Sequence, residues 1–191
     1  MKKIVAIGPE STGKSSLCEQ LAKHYNTVWC PEYAREYLLT HGKKYDYEDL
    51  LTIAKGQIAL EEKFESEISI RQLVVDRKAH SPFTIHHSPL LIDTDMYVMK
   101  VWCEFVFGKC HQWILDQIGK RKYDLYLLCN IDLPWVPDEL REYPDLERRL
   151  QLYDIYKQLM QNQSTPWIEI SGNPDERFDR AVMAIDNILE K

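Results

Sequence analysis

A short run near the start of the chain has the residue types and the spacing of a phosphate-binding loop. Gly8, Gly13, Lys14 and Ser15 satisfy the pattern G-x-x-x-x-G-K-[ST]. Glycines let backbone amides turn inward around an anion, the lysine reaches the outer phosphates of a nucleotide, and the serine hydroxyl suits Mg²⁺. We therefore predict that ATP and Mg²⁺ bind here. The predicted nucleotide-binding residues are Gly8, Glu10, Ser11, Thr12, Gly13, Lys14, Ser15 and Ser16, with Lys14 also catalytic and Ser15 also a metal ligand.

Acidic residues close an apolar run later in the chain, in the stretch LLIDTD. Asp93 ends the run, and a carboxylate in that position is suited to hold Mg²⁺ directly or through water. It is also a candidate for the base that takes the proton of an acceptor hydroxyl. Asp95 is predicted to bind substrate, with the alternative that it only caps the helix that follows. We therefore assign Asp93 both to catalysis and to the metal.

A competing apolar run also ends in an acid, in the stretch QLVVDRKAHSP. Its Asp76 and Arg77 look like the acid-arginine step of some nucleotide kinases. This run leads into prolines and histidines, whereas LLIDTD leads directly into a strong helical pattern, as a strand-helix unit should. We therefore predict that residues of about 71–88 form an inserted loop or edge, and that LLIDTD is the strand beside the phosphate loop.

Glu32 follows a short second strand, in the stretch WCPEYAR. Arg35 lies three residues further on, which places it on the same face of a helical turn. In many P-loop kinases of small molecules a carboxylate at this place faces the acceptor pocket, where it contacts sugar hydroxyls or acts as the base. The alternative is a surface acid that pairs with Arg35. The sequence leaves Glu32 and Asp93 both open as the catalytic base.

A segment rich in proline, acids and arginines follows the fourth strand, in the stretch NIDLPWVPDELREYPDLERRL. We predict a lid over about residues 131–149, in which Arg141 and Arg148 close over the transferring phosphate as catalytic residues. Such closure excludes water and prevents hydrolysis. The alternative is a charged, solvated helix face. Trp135 lies between two prolines of the segment, and we predict that it stacks on a flat ring of the substrate.

The elements that must position these residues follow from the alternation of short apolar strands with amphipathic helices. This alternation predicts a parallel five-stranded sheet with helices on both faces, the three-layer α/β fold of P-loop NTPases and kinases. Ligands in such folds bind at the carboxyl ends of the strands. All of the motifs above fall at such ends, which supports one P-loop kinase domain over residues 1–191.

Composition narrows the class of protein further. Net charge is −6 and the apolar fraction is 45%, which is typical of a globular domain and argues against nucleic acid as a partner. No apolar run has the length needed to cross a bilayer, and the five cysteines are scattered without paired spacing. We therefore expect a cytoplasmic protein without a membrane partner. The oligomeric state is not predicted.

The order of the motifs resembles the ribosylnicotinamide kinase domain of NadR-type NAD-salvage proteins. The resemblance rests on GPESTGKSSL, PEYAREYL, IDTD with FGKCH after it, and YDLYLLCNIDLPWVPDELRE, and it runs from Ile4 to the final helix. It implies that ATP phosphorylates the 5′-hydroxyl of nicotinamide riboside to give nicotinamide mononucleotide. Because the chain has no H-x-G-H motif, we do not extend the resemblance to adenylyl transfer or to transcriptional regulation.

The resemblance also assigns roles to individual residues. The phosphate loop corresponds to Gly8–Ser16, and the acidic strand end to Asp93 and Asp95. Trp135 would lie at the nicotinamide side of the pocket. The acceptor-side, substrate-binding motif corresponds to Glu32, Tyr33 and Arg35.

Two alternatives to a nicotinamide riboside kinase remain open. A kinase of another nucleoside or nucleotide would use the same loop with a different pocket, and the Asp76–Arg77 step is its best support. A nucleotide-dependent switch or regulatory ATPase would need an element that senses the γ-phosphate and a surface for a partner. The dense arginines of the predicted lid argue against the switch.

Overall fold

The computed structural model describes residues 1–78 and 88–190, with side chains at 1–71 and 88–190. A parallel five-stranded sheet in the order β2-β3-β1-β4-β5 forms the centre of the domain. Residues of β3 and β4 are buried throughout, as strands covered on both faces must be. The predicted sheet is therefore confirmed. Its strands are β1 (Lys3–Ile7), β2 (Trp29–Cys30), β3 (Leu90–Asp93), β4 (Leu125–Cys129) and β5 (Trp167–Ile170).

Seven helices connect and cover the strands in the described part of the chain. One apolar cluster packs α1 and α7 against one face of the sheet, and a second packs α3, α4 and α6 against the other. This arrangement gives the three layers that the sequence predicts. The helices are α1 (Lys14–His24), α2 (Tyr33–His41), α3 (Tyr47–Lys78), α4 (Met96–Phe107), α5 (Gln112–Lys120), α6 (Leu146–Gln161) and α7 (Pro174–Leu189).

The helix α3 extends further than its apolar pattern indicates. Asp46 and Asp49 cap its start by accepting each other's backbone N–H, at 3.0 and 2.8 Å. The helix then continues to Lys78, so the expectation of a loop from Arg71 is wrong for residues 71–78. Residues 79–87, the remainder of that segment before Ser88, lie outside the described residues. The short helix α5 was not predicted at all.

The amino end of the sheet contains a buried carboxylate that is fully paired. Glu61 of α3 accepts hydrogen bonds from the Lys3 ammonium at 3.2 Å and from the Tyr123 hydroxyl at 3.0 Å. The Arg121 guanidinium adds an ion pair at 3.2 Å. Two cations and a hydroxyl thus replace the water that Glu61 lost on burial.

The loops at the carboxyl end of the sheet include those on either side of the point where the strand order reverses. Strand β1 lies between β3 and β4, so the chain leaves β1 and returns on either side of it. The loops after β1 and β3 consequently face each other across this switch point, which is the usual ligand site of open α/β sheets. None of the helices in the described ranges is long and apolar enough to cross a membrane.

Candidate active site

The loop between β1 and α1 is held tightly against β4. Gly8 has a φ of 138°, and a side chain there would place Cβ 2.7 Å from the carbonyl oxygen of Cys129. Only glycine fits both the conformation and the space. The buried Thr12 hydroxyl donates to the Pro9 carbonyl at 2.8 Å and closes the loop on itself. Helix α1 begins directly after the loop, so its first amides point into the concave site.

Lys14 and Ser15 lie at the mouth of this loop. The Lys14 ammonium donates to the carbonyls of Gly8 and Pro9, at 3.0 and 2.8 Å. The Ser15 hydroxyl donates to Oδ2 of Asp93 at 2.5 Å. The structure therefore brings together the two residues that the sequence assigns to the metal, although they are far apart in the chain.

The Asp93 carboxylate has one oxygen that is suited to bind a metal. Its Oδ1 is buried and has no hydrogen-bond partner among the described residues. Burial raises the pKa of Asp93, and the nearby charge of Lys14 only partly opposes this. A buried carboxylate oxygen next to a serine hydroxyl is the oxygen donor set that Mg²⁺ prefers. The residues present thus fit the metal.

Glu32 follows the carboxyl end of β2, near Asp93 and Lys14 of the phosphate-loop region. Burial raises its pKa to about 7, and the negative charge of Asp93 adds to the rise. The positive charges of Lys14 and Arg35 act in the opposite direction. A carboxylate with a pKa near neutrality is suited to proton transfer at physiological pH. The structure therefore groups both candidate bases, Glu32 and Asp93, at one site.

Glu32 and Tyr33, which are predicted to face the acceptor, lie against Gly56 and Gln57 of α3, and we call these four residues the acceptor wall after that prediction. The buried Gln57 amide accepts the backbone N–H of Tyr33 at 2.7 Å and donates to the Pro31 carbonyl at 3.3 Å. The Tyr33 ring packs so closely on α3 that a Cβ at Gly56 would lie 2.1 Å from it. The start of α2 is thereby fixed beside α3.

Asp95 caps the amino end of helix α4. Its Oδ1 accepts the backbone N–H groups of Tyr97 and Val98, at 2.9 and 3.3 Å, and its Oδ2 accepts the Tyr126 hydroxyl at 2.8 Å. Burial raises the pKa of Asp95 to about 6. These contacts are those of the capping alternative, and substrate binding by Asp95 stays a prediction.

Residues 131–145 form an irregular segment between β4 and α6, which we call the lid, whereas residues 146–149 of the predicted lid instead begin helix α6. The lid makes hydrogen bonds to two residues of the phosphate loop. The Glu10 carboxylate accepts the backbone N–H groups of Glu142 and Tyr143, at 2.9 and 2.5 Å. The Ser11 hydroxyl accepts the backbone N–H of Val136 at 3.0 Å. The segment predicted as a lid therefore lies against the phosphate loop, and its function as a lid stays a prediction.

Trp135 of the lid lies between two arginines. The guanidinium carbons of Arg141 and Arg149 are 6.0 and 5.6 Å from its ring centroid. Arg141 also donates to Ser11 at 3.3 Å and to the Val136 carbonyl, so it lies beside the phosphate loop, and its catalytic role stays a prediction. Stacking of Trp135 on a substrate ring stays a prediction.

Comparisons with known proteins agree with this geometry. Residues 3–177 match the family AAA_28, which is described as an AAA domain. The chain belongs to this family. It is 23% identical over 192 residues to the trifunctional NAD biosynthesis/regulator protein NadR of Escherichia coli strain K12, covering 99% of this chain and 43% of NadR. The chain thus spans less than half the length of this relative.

Solved structures show the same fold as this AAA_28 chain. A NadR protein in complex with NR has a TM-score of 0.69 at 19% identity, covering 100% of this chain and 52% of that chain. A thymidylate kinase from Ehrlichia chaffeensis has a TM-score of 0.61 at 14% identity, with 96% and 98% covered. These likenesses support the P-loop kinase architecture.

Two predicted residues of the AAA_28 domain lie apart from the phosphate loop. Arg148 is on the exposed first turn of α6, 5.5 Å above the Tyr143 ring, where it lines a cleft of about 610 Å³ between α4 and α6. Arg35 makes two hydrogen bonds to Asp138 of the lid, at 3.2 and 3.0 Å. The side chains of Asp76 and Arg77 lie outside the described residues.

One buried arginine of the AAA_28 domain that holds the phosphate loop in place is not predicted from the sequence. Arg177 of α7 is buried, and it donates to the carbonyls of Thr12 at 3.1 Å and Asn130 at 2.9 Å, and to the Asp132 carboxylate. It therefore ties the phosphate loop to the end of β4. Arg177 lies within an amphipathic helix, where its spacing alone is that of a solvated charge.

Proposed function

We propose that this chain is an ATP-dependent kinase that phosphorylates the 5′-hydroxyl of nicotinamide riboside to nicotinamide mononucleotide. One observation carries the proposal: a carboxylate with a pKa of about 7, Glu32, lies beside the phosphate loop and the Ser15–Asp93 pair. Groups suited to the phosphate donor and to the acceptor hydroxyl thus lie close together, which supports a kinase. The NadR protein of similar fold that binds NR supports this choice of acceptor.

Each residue of the site has a separate role in the reaction. The riboside 5′-oxygen bonds to the γ-phosphorus as the bond between that phosphorus and the β–γ bridging oxygen breaks, and ADP leaves. Glu32 takes the hydroxyl proton, because its raised pKa matches the task. Lys14 exchanges the Gly8 and Pro9 carbonyls for the β- and γ-phosphates. Arg141 of the lid adds positive charge at the transferring group.

Ser15 and Asp93 would hold Mg²⁺, and the unpartnered Oδ1 of Asp93 supports this assignment. Mg²⁺ supplies positive charge that offsets the charge on the phosphates during transfer. This division gives Asp93 to the metal and leaves Glu32 as the base. We further propose a cytoplasmic location, with a small-molecule substrate and neither nucleic acid nor a membrane as a partner.

A substrate panel with ATP and Mg²⁺ tests the proposal. We expect nicotinamide riboside to be phosphorylated faster than deoxyadenosine, thymidine or thymidine monophosphate. Faster turnover of one of the others would favour a different nucleoside or nucleotide kinase. ATP hydrolysis without any acceptor, together with a stable protein partner, would favour a regulatory ATPase.

A matched pair of variants on α1 separates the loop from general effects. Lys14→Ala should lower the transfer rate by about 10²–10³-fold, because a preorganised charge at the phosphates is lost. Lys23→Ala should leave the rate unchanged, since its side chain is 74% exposed and pairs only with Glu19 among the described residues. Full activity in Lys14→Ala would contradict the phosphate-loop assignment.

A further inference from the structure

Glu10 occupies a variable position of the phosphate-loop motif and carries a negative charge. A carboxylate so close to bound phosphates would repel them, which makes it a poor phosphate ligand. Its recorded hydrogen bonds go elsewhere, to two successive backbone N–H groups of the lid. Its Oε1 lies 2.9 Å from the nitrogen of Glu142 and 2.5 Å from that of Tyr143, and its Oε2 lies 3.1 Å from the nitrogen of Glu142. Charge-assisted bonds of this kind are among the stronger ones in proteins.

Ser11 makes a second connection from the loop to the lid. Its hydroxyl accepts from the backbone N–H of Val136 at 3.0 Å and from the Arg141 guanidinium at 3.3 Å. Ser11 has a φ of 58°, a left-handed conformation that is costly for a residue with a Cβ. Ser11 is thus a strained residue of the loop, and among the described residues its side chain makes hydrogen bonds only to the lid.

The opposite edge of the lid is attached to the acceptor side. Asp138 accepts two hydrogen bonds from Arg35 of α2. The Glu142 carboxylate accepts the Tyr45 hydroxyl at 3.0 Å. The same short lid segment is therefore bound by the donor loop on one side and by the region that precedes α3 on the other.

We propose that Glu10 and Ser11 are positioning residues that hold the lid closed over the donor site, while Arg35 holds it on the acceptor side. They act on phosphoryl transfer through the lid rather than by binding phosphate. This inference deepens the proposed function and rests on it. It replaces the prediction that Glu10 and Ser11 bind the nucleotide, and it predicts that loss of Glu10 lets water reach the γ-phosphate.

Glu10→Ala tests the role of the carboxylate. The affinity for a non-hydrolysable ATP analogue should stay within about threefold of the wild type, because no phosphate ligand is lost. The rate of transfer to nicotinamide riboside should fall about tenfold, since bonds to a charged group are removed. The share of ATP hydrolysed without acceptor should rise. Glu19→Ala is the matched control, because Glu19 is an exposed acid of α1 that pairs with Lys23 and should change none of these values.

Trp135 fluorescence gives a readout of the lid that needs no acceptor. The signal is assigned by subtracting a Trp135→Phe background, since the chain has five tryptophans. In Glu10→Ala the Trp135 emission should shift towards that of an exposed indole. A tenfold or greater loss of analogue affinity with unchanged Trp135 emission would overturn the inference, because Glu10 would then act on the nucleotide. If no riboside is a substrate, these two measurements still decide the role of Glu10.

Discussion

Both ends of the sheet contain buried carboxylates, but the two ends differ in how well positive charges and hydrogen-bond donors balance them. At the amino end Glu61 is surrounded by Lys3, Arg121 and Tyr123. At the carboxyl end Asp93 keeps one oxygen without a partner among the described residues, and Glu32 has a pKa of about 7. Burial of an acid without enough positive charge costs stability. The difference indicates that the amino end is built for stability and the carboxyl end for binding.

A single helix supplies residues to both ends. Helix α3 contributes Gln57 to the acceptor wall and Glu61 to the charged cluster at the amino end of the sheet. One turn of helix thus separates a residue that fixes Tyr33 from one that neutralises Lys3. Variants at the two ends should therefore affect different measurements, although they lie in the same element.

Asp93→Asn should have the largest effect on activity. The amide removes the charge that Mg²⁺ needs, so transfer should fall by about 10²–10³-fold and Mg²⁺ affinity should fall with it. The midpoint of thermal unfolding should stay the same or rise, because no charge has to be buried. Rates, Mg²⁺ titration and thermal melts check this. A destabilised variant with full activity would reverse the comparison between the two ends.

Glu61→Gln should give the opposite pattern. Lys3 and Arg121 would lose their buried carboxylate partner and keep only Glu62 and Glu65, which should lower the free energy of unfolding by about 1–3 kcal/mol. Activity per folded molecule should not change, because the cluster lies at the far end of the sheet. Urea denaturation measures the loss. Glu62→Gln is the control, since that side chain is 61% exposed and should change stability by less than about 0.5 kcal/mol.

The features that could be predicted from sequence are those encoded by local spacing. The loop from Gly8 to Ser15 is one continuous motif, and Asp93 ends an apolar strand that leads directly into a helical pattern. The pattern of strands and helices therefore predicts that Asp93 lies beside the loop, where Ser15 contacts it. The same holds for the position of the lid after β4.

The features that could not be predicted depend on contacts between distant segments. Glu10 was assigned to the nucleotide because its motif binds phosphate, yet its hydrogen bonds go to the backbone of the lid. Arg177 ties the loop to β4 by donating to backbone carbonyl groups, and the spacing of residue types in the sequence cannot reveal such contacts. Arg35 is near enough to Glu32 for its charge to lower the pKa of that acid, but its hydrogen bonds go to Asp138, which the sequence does not reveal. Only the tertiary structure supplies such pairs.

The pH dependence of the transfer rate should reflect the ionisation of Glu32 at the carboxyl end of the sheet. If Glu32 is the base, kcat/KM for the riboside should rise with pH through about 7, so that the value at pH 6 is about a tenth of the plateau. The profile should lose this limb in Glu32→Gln. A flat profile between pH 6 and 8 in the wild type would remove Glu32 from proton transfer.

The same group should also affect stability, with the opposite trend. The folded pKa of Glu32, about 7, lies above its ordinary value of 4.5, so between these values the folded state binds a proton that the unfolded state has lost. The stability that this proton adds is therefore lost as pH rises through about 7. Asp95 acts in the same direction, so the free energy of unfolding must be compared with that of Glu32→Gln at pH 5.5 and 8.

Gly56→Ala should have the smallest effect, and it tests the acceptor wall through a change in α3. A Cβ there would lie 2.1 to 2.5 Å from ring atoms of Tyr33, so the ring must move. The KM for the riboside should rise about threefold to tenfold while the KM for ATP is unchanged. The overpacking cost of about 1–3 kcal/mol is partly offset by the gain of about 1 kcal/mol from alanine in a helix.

Gly119→Ala in α5 provides the matched control, because a Cβ at Gly119 meets nothing within 4 Å. It should gain helix stability without any change in either KM. If both alanine variants raise the KM for the riboside equally, the Tyr33 contact has no part in acceptor binding. If Gly56→Ala alone does so, a residue five positions before Glu61 acts on substrate while Glu61 acts on stability, and the division of α3 between the two ends of the sheet holds.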